Sequence, residues 1–194
     1  SAWESVEERA EYSRMVVERI DRESERRIVS QGTLVAMSGA RLGGFTQRFT
    51  LVDGLPIVRL EIDVHLDQPL DGSLFESHLA CRFAWNENDD IDLCRSLHGE
   101  SIVTERSRFT APHFLELRPA ADRTAADRVL IATGGLPWHV RCTPHTVDTI
   151  LMGPGVSQAS RRLVLGLGIA EPRPVALSVL CEQAALPTAV GAVS

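Results

Sequence analysis

The sequence predicts a mainly β protein, an antiparallel β-sandwich with one long N-terminal helix and one short C-terminal helix. Two observations indicate the sandwich. Within residues 56–67, apolar and polar residues alternate strictly from Val58 to Asp67, as they do in a strand that is buried on one face only. From Gly32 onward, short strand-like runs follow one another with glycine-containing turns between them. These strands do not alternate regularly with helices, as the strands of a parallel α/β sheet do.

Composition places the chain among ordinary soluble globular proteins. Its 194 residues are 44% hydrophobic and 24% charged, which suffices for one large domain with its own core. The formal net charge of −6 disfavours nucleic acid and anionic membranes as partners, because like charges repel. The four cysteines lie far apart and form no CxxC pair, so we expect free thiols.

The sequence contains no targeting or membrane-spanning pattern. No apolar run approaches the roughly 20 residues that span a bilayer, and the charged start of the chain is unlike a signal peptide. We therefore expect a cytoplasmic location without membrane contact. Because the chain opens directly on a helical pattern, we also expect it to be a fragment of a larger protein.

Residues 1–31 are expected to form one long amphipathic helix. Neither glycine nor proline interrupts them, and apolar residues recur at steps of three and four, as on one face of a helix. These residues are Trp3, Val6, Ala10, Val17, Ile20 and Ile28. The apolar face is narrow, so the helix needs a partner, which is either the sheet or a second copy of the chain. The charged outer face is expected to be solvated.

The β domain is expected over residues 32–187, with a loose tail at 188–194. Asp53-Gly54 lies between two alternating runs and predicts a hairpin. The segment 174–186 follows a proline-rich stretch and is interpreted as a closing helix. The strand-like runs lie at 33–37, 45–52, 56–67, 77–85, 101–109, 113–118, 128–134, 137–142 and 161–170.

Residues 134–155 carry the most distinctive chemistry. This stretch places Trp138, His139, Arg141 and His145 after a Gly-Gly turn. An exposed tryptophan offers an apolar face to a sugar ring, while arginine and histidine donate hydrogen bonds to hydroxyl groups. Trp138, His139 and Arg141 are therefore candidate carbohydrate-binding residues. The alternative is that Trp138 anchors the core of the sandwich.

A second candidate region is the acidic run NENDDID at residues 86–92. Its oxygen ligands would suit calcium, but it lacks the glycine and the distal glutamate of an EF-hand loop. We expect no metal here and consider Asn86, Asp89 and Asp90 as further candidate carbohydrate contacts. The alternative is a solvated loop between strands.

The sequence predicts no catalytic site. No serine lies in a GxSxG elbow, and the glycine pair Gly134-Gly135 is followed by neither the lysine nor the helix of a phosphate loop. His139 and His145 are six residues apart, a spacing that common zinc motifs do not use. Paired carboxylates on facing strands would suit glycoside chemistry, but the sequence does not tell which acids face each other.

The order of the segments resembles the C-terminal β region of the α-mannosidases of glycoside hydrolase family 38. The resemblance covers residues 41–174 and includes the segments GFTQRFTLVDGLPIVRLEIDVHLDQP, ATGGLPWHVRCTPHTVDTILM and RRLVLGLGIAEPRP. Its firmest points are GLP at 135–137, His139, Asp148 and the LGIA strand. Where related chains have a Gly-Glu pair, this chain has Gly155-Val156, so no role for that acid is carried over.

The resemblance implies a fold, a function and partners. In this family the nucleophile, the acid and the zinc ligands lie in an N-terminal α/β barrel, followed by a helical bundle and galactose mutarotase-like β supersandwich domains. The chain would then be a non-catalytic β domain that supports the barrel and the rim of the carbohydrate site. Its partners would be the catalytic and bundle domains of the same chain. It would hold no cofactor itself, with zinc in the missing catalytic domain.

Two alternatives to this function stay open. The chain could be a free-standing carbohydrate-binding module, in which case it binds glycans alone. It could also be a structural or interaction domain that assembles into a homo-oligomer through its N-terminal helix.

Overall fold

Strands make up all the regular secondary structure in the part of the chain that the structure, a computed structural model, describes: residues 13–54, 57–120, 128–155 and 160–169. There are thirteen of them. In chain order they are β1 (Arg14–Ser24), β2 (Arg27–Val35), β3 (Arg41–Leu51), β4 (Ile57–Leu66), β5 (Leu79–Ala84), β6 (Ile91–Leu97), β7 (Glu100–Val103), β8 (Arg108–Thr110), β9 (Phe114–Pro119), β10 (Val129–Ala132), β11 (Trp138–Thr143), β12 (Thr146–Met152) and β13 (Ser160–Ile169).

The strands form two antiparallel sheets of unequal size. The large sheet has nine strands in the order β1-β2-β3-β4-β13-β10-β9-β6-β7, and the small sheet has four in the order β5-β12-β11-β8. Antiparallel pairing was expected from the alternation in β4. Four of the five apolar residues at even positions of that strand are buried, namely Leu60, Ile62, Val64 and Leu66, and Val58 is half-buried. The predicted strand at 56–67 is therefore confirmed.

Apolar residues from both sheets form a shared core. Leu60 and Val64 of β4 belong to one cluster with Leu151 of β12, and Ile131 of β10 belongs to a second with Val147 of β12. Burial of each such side chain stabilises the fold by about 1.5–3 kcal/mol. We call the face of each sheet that lies against this core the inner face, and the opposite one the outer face.

The predicted N-terminal helix is wrong for the described residues, since Arg14–Ser24 and Arg27–Val35 form an antiparallel hairpin. Its helix-like spacing has a strand explanation. Val17 pairs with Gly32 and Ile20 with Ser30, because the register shifts between Val17 and Arg19. A one-residue bulge of this kind places residues three apart on the same face of a strand. Residues 1–12 lie outside the described part.

The other predicted runs agree with the strands to different degrees. The runs that coincide with strands are 45–52, 77–85, 113–118, 128–134, 137–142 and 161–170. The run at 101–109 is two strands, because β7 belongs to the large sheet and β8 to the small one. The hairpin at Asp53-Gly54 is confirmed by the pairing of β3 with β4.

Some expectations concern segments that cannot be assessed. The closing helix at 174–186 and the tail at 188–194 lie outside the described residues. Among the described residues we find no helix with the length and hydropathy of a membrane span.

Candidate functional site

Strand β11 carries three of the predicted site residues and places them on opposite faces of the small sheet. Val140 is buried on the outer face in a cluster with Phe75, and Trp138 lies on this face because side chains alternate along a strand. His139 points to the inner face, where its ring stacks on Phe109 with the centroids 5.4 Å apart. Arg141 shares the inner side with His139. Trp138 is thus separated from the two residues that were predicted to act with it.

His139 is a core residue with no exposed surface. Its Nε2 lies 3.1 Å from the Ala111 carbonyl oxygen and its Nδ1 lies 3.2 Å from the Thr149 hydroxyl. Nε2–H donates to the carbonyl, and in the neutral ring Nδ1 accepts from the hydroxyl. Burial lowers the pKa of His139 to about 4, an effect that the Ala111 hydrogen bond opposes. This side chain connects strands and has no surface to offer a ligand.

Arg141 lines a crevice of about 300 Å³ together with Asp92 and Glu105. Its guanidinium donates to the carbonyl oxygens of Thr104, at 3.2 Å, and Pro144, at 2.8 Å. Burial lowers the pKa of Arg141, while the charges of Glu105 and Asp92 oppose that shift. These contacts tie β11 to the edge of the large sheet.

Asn86, Asp89 and Asp90 lie in the exposed loop between β5 and β6. The Asn86 side-chain oxygen accepts from the Asn88 backbone N–H at 3.0 Å, and the Asp89 N–H donates to the Asn86 carbonyl at 3.1 Å. The loop is therefore closed by its own hydrogen bonds. In the described ranges, no three His, Cys, Asp or Glu side chains come together in a group that could hold a metal ion.

The outer face of the small sheet brings together groups that the sequence did not connect. Trp138 is 42% exposed, and its indole meets the Phe75 ring edge to face, with centroids 5.9 Å apart. The Arg108 guanidinium lies 5.1 Å from the centroid of the same Phe75 ring. Phe75 comes from the segment between β4 and β5, which packs across this face. We call the surface formed by Phe75, Arg82, Arg108, Trp138 and Asp148 the Trp138 face.

An ion pair lies at the centre of the Trp138 face. Asp148 is buried, and its two oxygens accept from Arg82 Nε at 2.7 Å and from a terminal Arg82 nitrogen at 2.8 Å. The Cys142 thiol donates to Asp148 at 3.2 Å. Burial, together with the Asp148 charge, raises the pKa of Cys142 to about 12, so this thiol stays protonated. Arg82 is about half exposed and extends from the ion pair toward solvent.

The arrangement suits hydrogen bonding to a neutral polar ligand beside an aromatic surface. Arginine supplies several N–H donors in a fixed plane, and the edge of an indole supplies apolar contact. One signal for this site was present in the sequence. Asp148 interrupts the apolar run of residues 146–152, and a charge inside a buried strand requires a partner.

A shallow groove of about 620 Å³ on the large sheet is a weaker candidate. Gly44 is among its lining residues. The polar side chains around it bind one another, since Thr33 donates to Glu18 at 3.1 Å and Arg41 to Asp67 at 3.0 Å. Phe45, its one lining residue of the Phe, Tyr or Trp type, is buried.

No protein-family model and no curated protein matches this chain. The Trp138 face is therefore interpreted from its own geometry.

Proposed function

We propose that this chain is a β-sandwich domain of an α-mannosidase-like glycoside hydrolase and that its Trp138 face contacts carbohydrate. The domain itself performs no catalysis. Its fold is the galactose mutarotase-like supersandwich that the family 38 resemblance implies, and its partners are the catalytic barrel and the helical bundle of the same chain. The mainly antiparallel sheets support this proposal at the level of fold class.

One observation carries the carbohydrate role, and it is the exposed indole of Trp138. The apolar surface of a tryptophan on the outer face of a sheet stays in contact with water, which is unfavourable, unless a partner covers it. Phe75 meets the indole edge to face, and 42% of Trp138 stays exposed. Sugar rings have apolar C–H faces that pack on indoles, and their hydroxyls accept hydrogen bonds from guanidinium groups. Arg108 lies on the same face and makes no ion pair with any described residue.

The affinity of the isolated chain for glycans distinguishes two forms of this role. A free-standing carbohydrate-binding module binds glycans through this face without other domains. A rim domain shares the ligand with the barrel and binds it more weakly when alone, because part of the contact surface is missing.

The experiment is a calorimetric titration of the chain with a mannose trisaccharide. Trp138→Ala is expected to weaken binding about tenfold or more, equivalent to about 1.4 kcal/mol, because the apolar contact is lost. Met37→Ala is the matched control, since Met37 is also highly exposed but lies in the turn between β2 and β3. Equal affinity for the Trp138 variant and the unchanged chain, or no binding by either, would overturn the proposal.

A further inference from the structure

Strand β1 is a long edge strand with an open side. Within the described residues it pairs with β2 alone, and ten of its eleven residues are exposed. Its other edge therefore presents backbone N–H and C=O groups that a further strand can pair with. Several apolar side chains of β1 are also exposed, namely Met15, Val16, Val17 and Ile20.

Val17 and Ile20 of β1 continue the inner face of the large sheet. Val17 pairs with Gly32, which pairs with Phe45 of the core, and Ile20 follows on the same face opposite Ser30. Ile20 is 68% exposed. The inner face thus extends past the region where both sheets share a core, and its last row is uncovered within the described part of the chain.

The charges of β1 are complementary to those of the same strand turned end to end. We propose that two copies of this chain pair through β1, antiparallel, about a two-fold axis at Ile20. Ile20 then lies opposite Ile20 of the second copy. Arg19 then lies opposite Asp21 of the second copy. This opposite-charge pair occurs twice because the interface is isologous, and opposite charges directly across two strands attract.

Symmetry excludes most other registers. In an antiparallel two-fold pair, one residue must face its own copy, because facing residues lie on the same side of the sheet. An axis at Glu18, Arg19 or Asp21 places two like charges opposite each other at the centre, which is unfavourable. An axis at Met15, Val16 or Val17 pairs at most residues 14–20 of β1 with their copies, so the last four residues of the described strand stay outside the interface. The Ile20 axis places the opposite charges of Arg19 and Asp21 facing each other beside its centre.

The ion pair within β1 reinforces this register. Arg19 Nε lies 2.6 Å from Asp21 Oδ2 on the face opposite Ile20. In the paired strands, two such ion pairs lie side by side with opposite charges facing each other. The interface therefore has an apolar side formed by the Ile20 rows and a polar side formed by four charges of alternating sign. This inference concerns the large sheet and is independent of the Trp138 face.

Charge exchange tests the register directly. The oligomeric state of the chain is measured by sedimentation equilibrium over a wide concentration range. The unchanged chain is expected to form dimers. Arg19→Asp alone and Asp21→Arg alone each place like charges opposite each other and should weaken the dimer about tenfold or more. The double variant Arg19→Asp with Asp21→Arg restores opposite charges and should restore the dimer.

Two further variants keep the test decisive. Ile20→Lys places two ammonium groups on the axis and should give monomers. Arg14→Asp is the matched control, since Arg14 lies on the same strand outside the paired residues and should leave the dimer intact. Circular dichroism checks that each variant keeps its strands. A monomeric unchanged chain, or a double variant that dimerises no better than the single ones, would overturn the proposal.

Discussion

Buried polar side chains in this protein are held by specific partners. Ser96 has no exposed surface, and its hydroxyl oxygen accepts from the backbone N–H groups of His113, at 3.2 Å, and Phe114, at 3.1 Å. Glu116 is buried beside Arg128, at 3.2 Å, and also accepts from the Ser101 hydroxyl. Because a buried polar group without a partner is costly, these contacts fix how neighbouring strands pair.

His139 gives the stability of the fold a pH dependence. Burial lowers its pKa to about 4 from the ordinary value of 6.5. Between these two pH values, the histidine is protonated in the unfolded chain and neutral in the folded chain. Above about pH 6.5, His139 is neutral in both states and does not lower the free energy of unfolding. As the pH falls toward 4, protonation of the unfolded chain lowers that free energy. The free energy of unfolding should drop by up to about 3 kcal/mol over this interval, measured by urea unfolding at a series of pH values.

The contribution of His139 is isolated by two variants. His139→Gln removes the titrating ring and should flatten the part of the pH dependence that lies between pH 4 and pH 6.5. His98→Asn removes an exposed histidine from a turn and should leave the profile unchanged. If the Gln variant keeps the full slope, the buried neutral histidine is not its source.

The chemistry of single residues could be predicted from the sequence more easily than their surroundings. Trp138 was singled out for its indole, and the structure leaves that indole partly exposed. The alternation in β11 could also have separated Trp138 from His139 and Arg141, since they are neighbours on one strand. The contact between Trp138 and Phe75 could not be predicted, because it depends on a segment far away in sequence that packs across the small sheet.

Strands and turns were predictable where only one face is buried. Strand β4 alternates and was located within a residue or two. Strand β12 was missed because nearly all of its residues are buried, so its sequence shows no alternation. In β1 the bulge at Glu18 places apolar residues three apart on one face, and this spacing is the same as that of a helix. Periodicity identifies a strand only when its register is regular and its two faces differ.

Two adjacent glycines of β3 should respond differently to alanine. A Cβ at Gly43 would lie 2.1 Å from the His65 carbonyl oxygen, whereas one at Gly44 would meet nothing closer than 3.6 Å. Gly43→Ala should therefore lower the free energy of unfolding by about 1–3 kcal/mol, as overpacking does. Gly44→Ala should change it by less than about 0.5 kcal/mol or raise it slightly, because alanine restricts the unfolded chain.

Urea unfolding of both variants provides the measurement, and each serves as the control for the other. They share a strand, a residue type and a substitution, and they differ in the space around the new methyl group. Equal unfolding free energies for the two variants would contradict the close approach of β3 to β4 at Gly43.

The two sheets together determine which surfaces are open. The large sheet is more than twice as wide as the small one, so its β1–β2 end extends past the shared core. The segment around Phe75 partly covers the outer face of the small sheet. This segment borders the exposed part of the Trp138 face. The order of strands could not be predicted, since alternation tells which face is buried and not which strand is the neighbour. The pairs β4–β13 and β5–β12 join segments distant in sequence.

A fold of two antiparallel sheets does not by itself specify a function, so the carbohydrate role depends on the Trp138 face. Residue-resolved NMR of the isotopically labelled chain with and without a mannose trisaccharide tests it most directly. The account predicts that the indole N–H of Trp138 and the amides of Phe75, Arg82 and Arg108 shift together, while the amides around Arg141 and the 86–90 loop do not. Shifts centred on Arg141 or on that loop, or none at all, would contradict it.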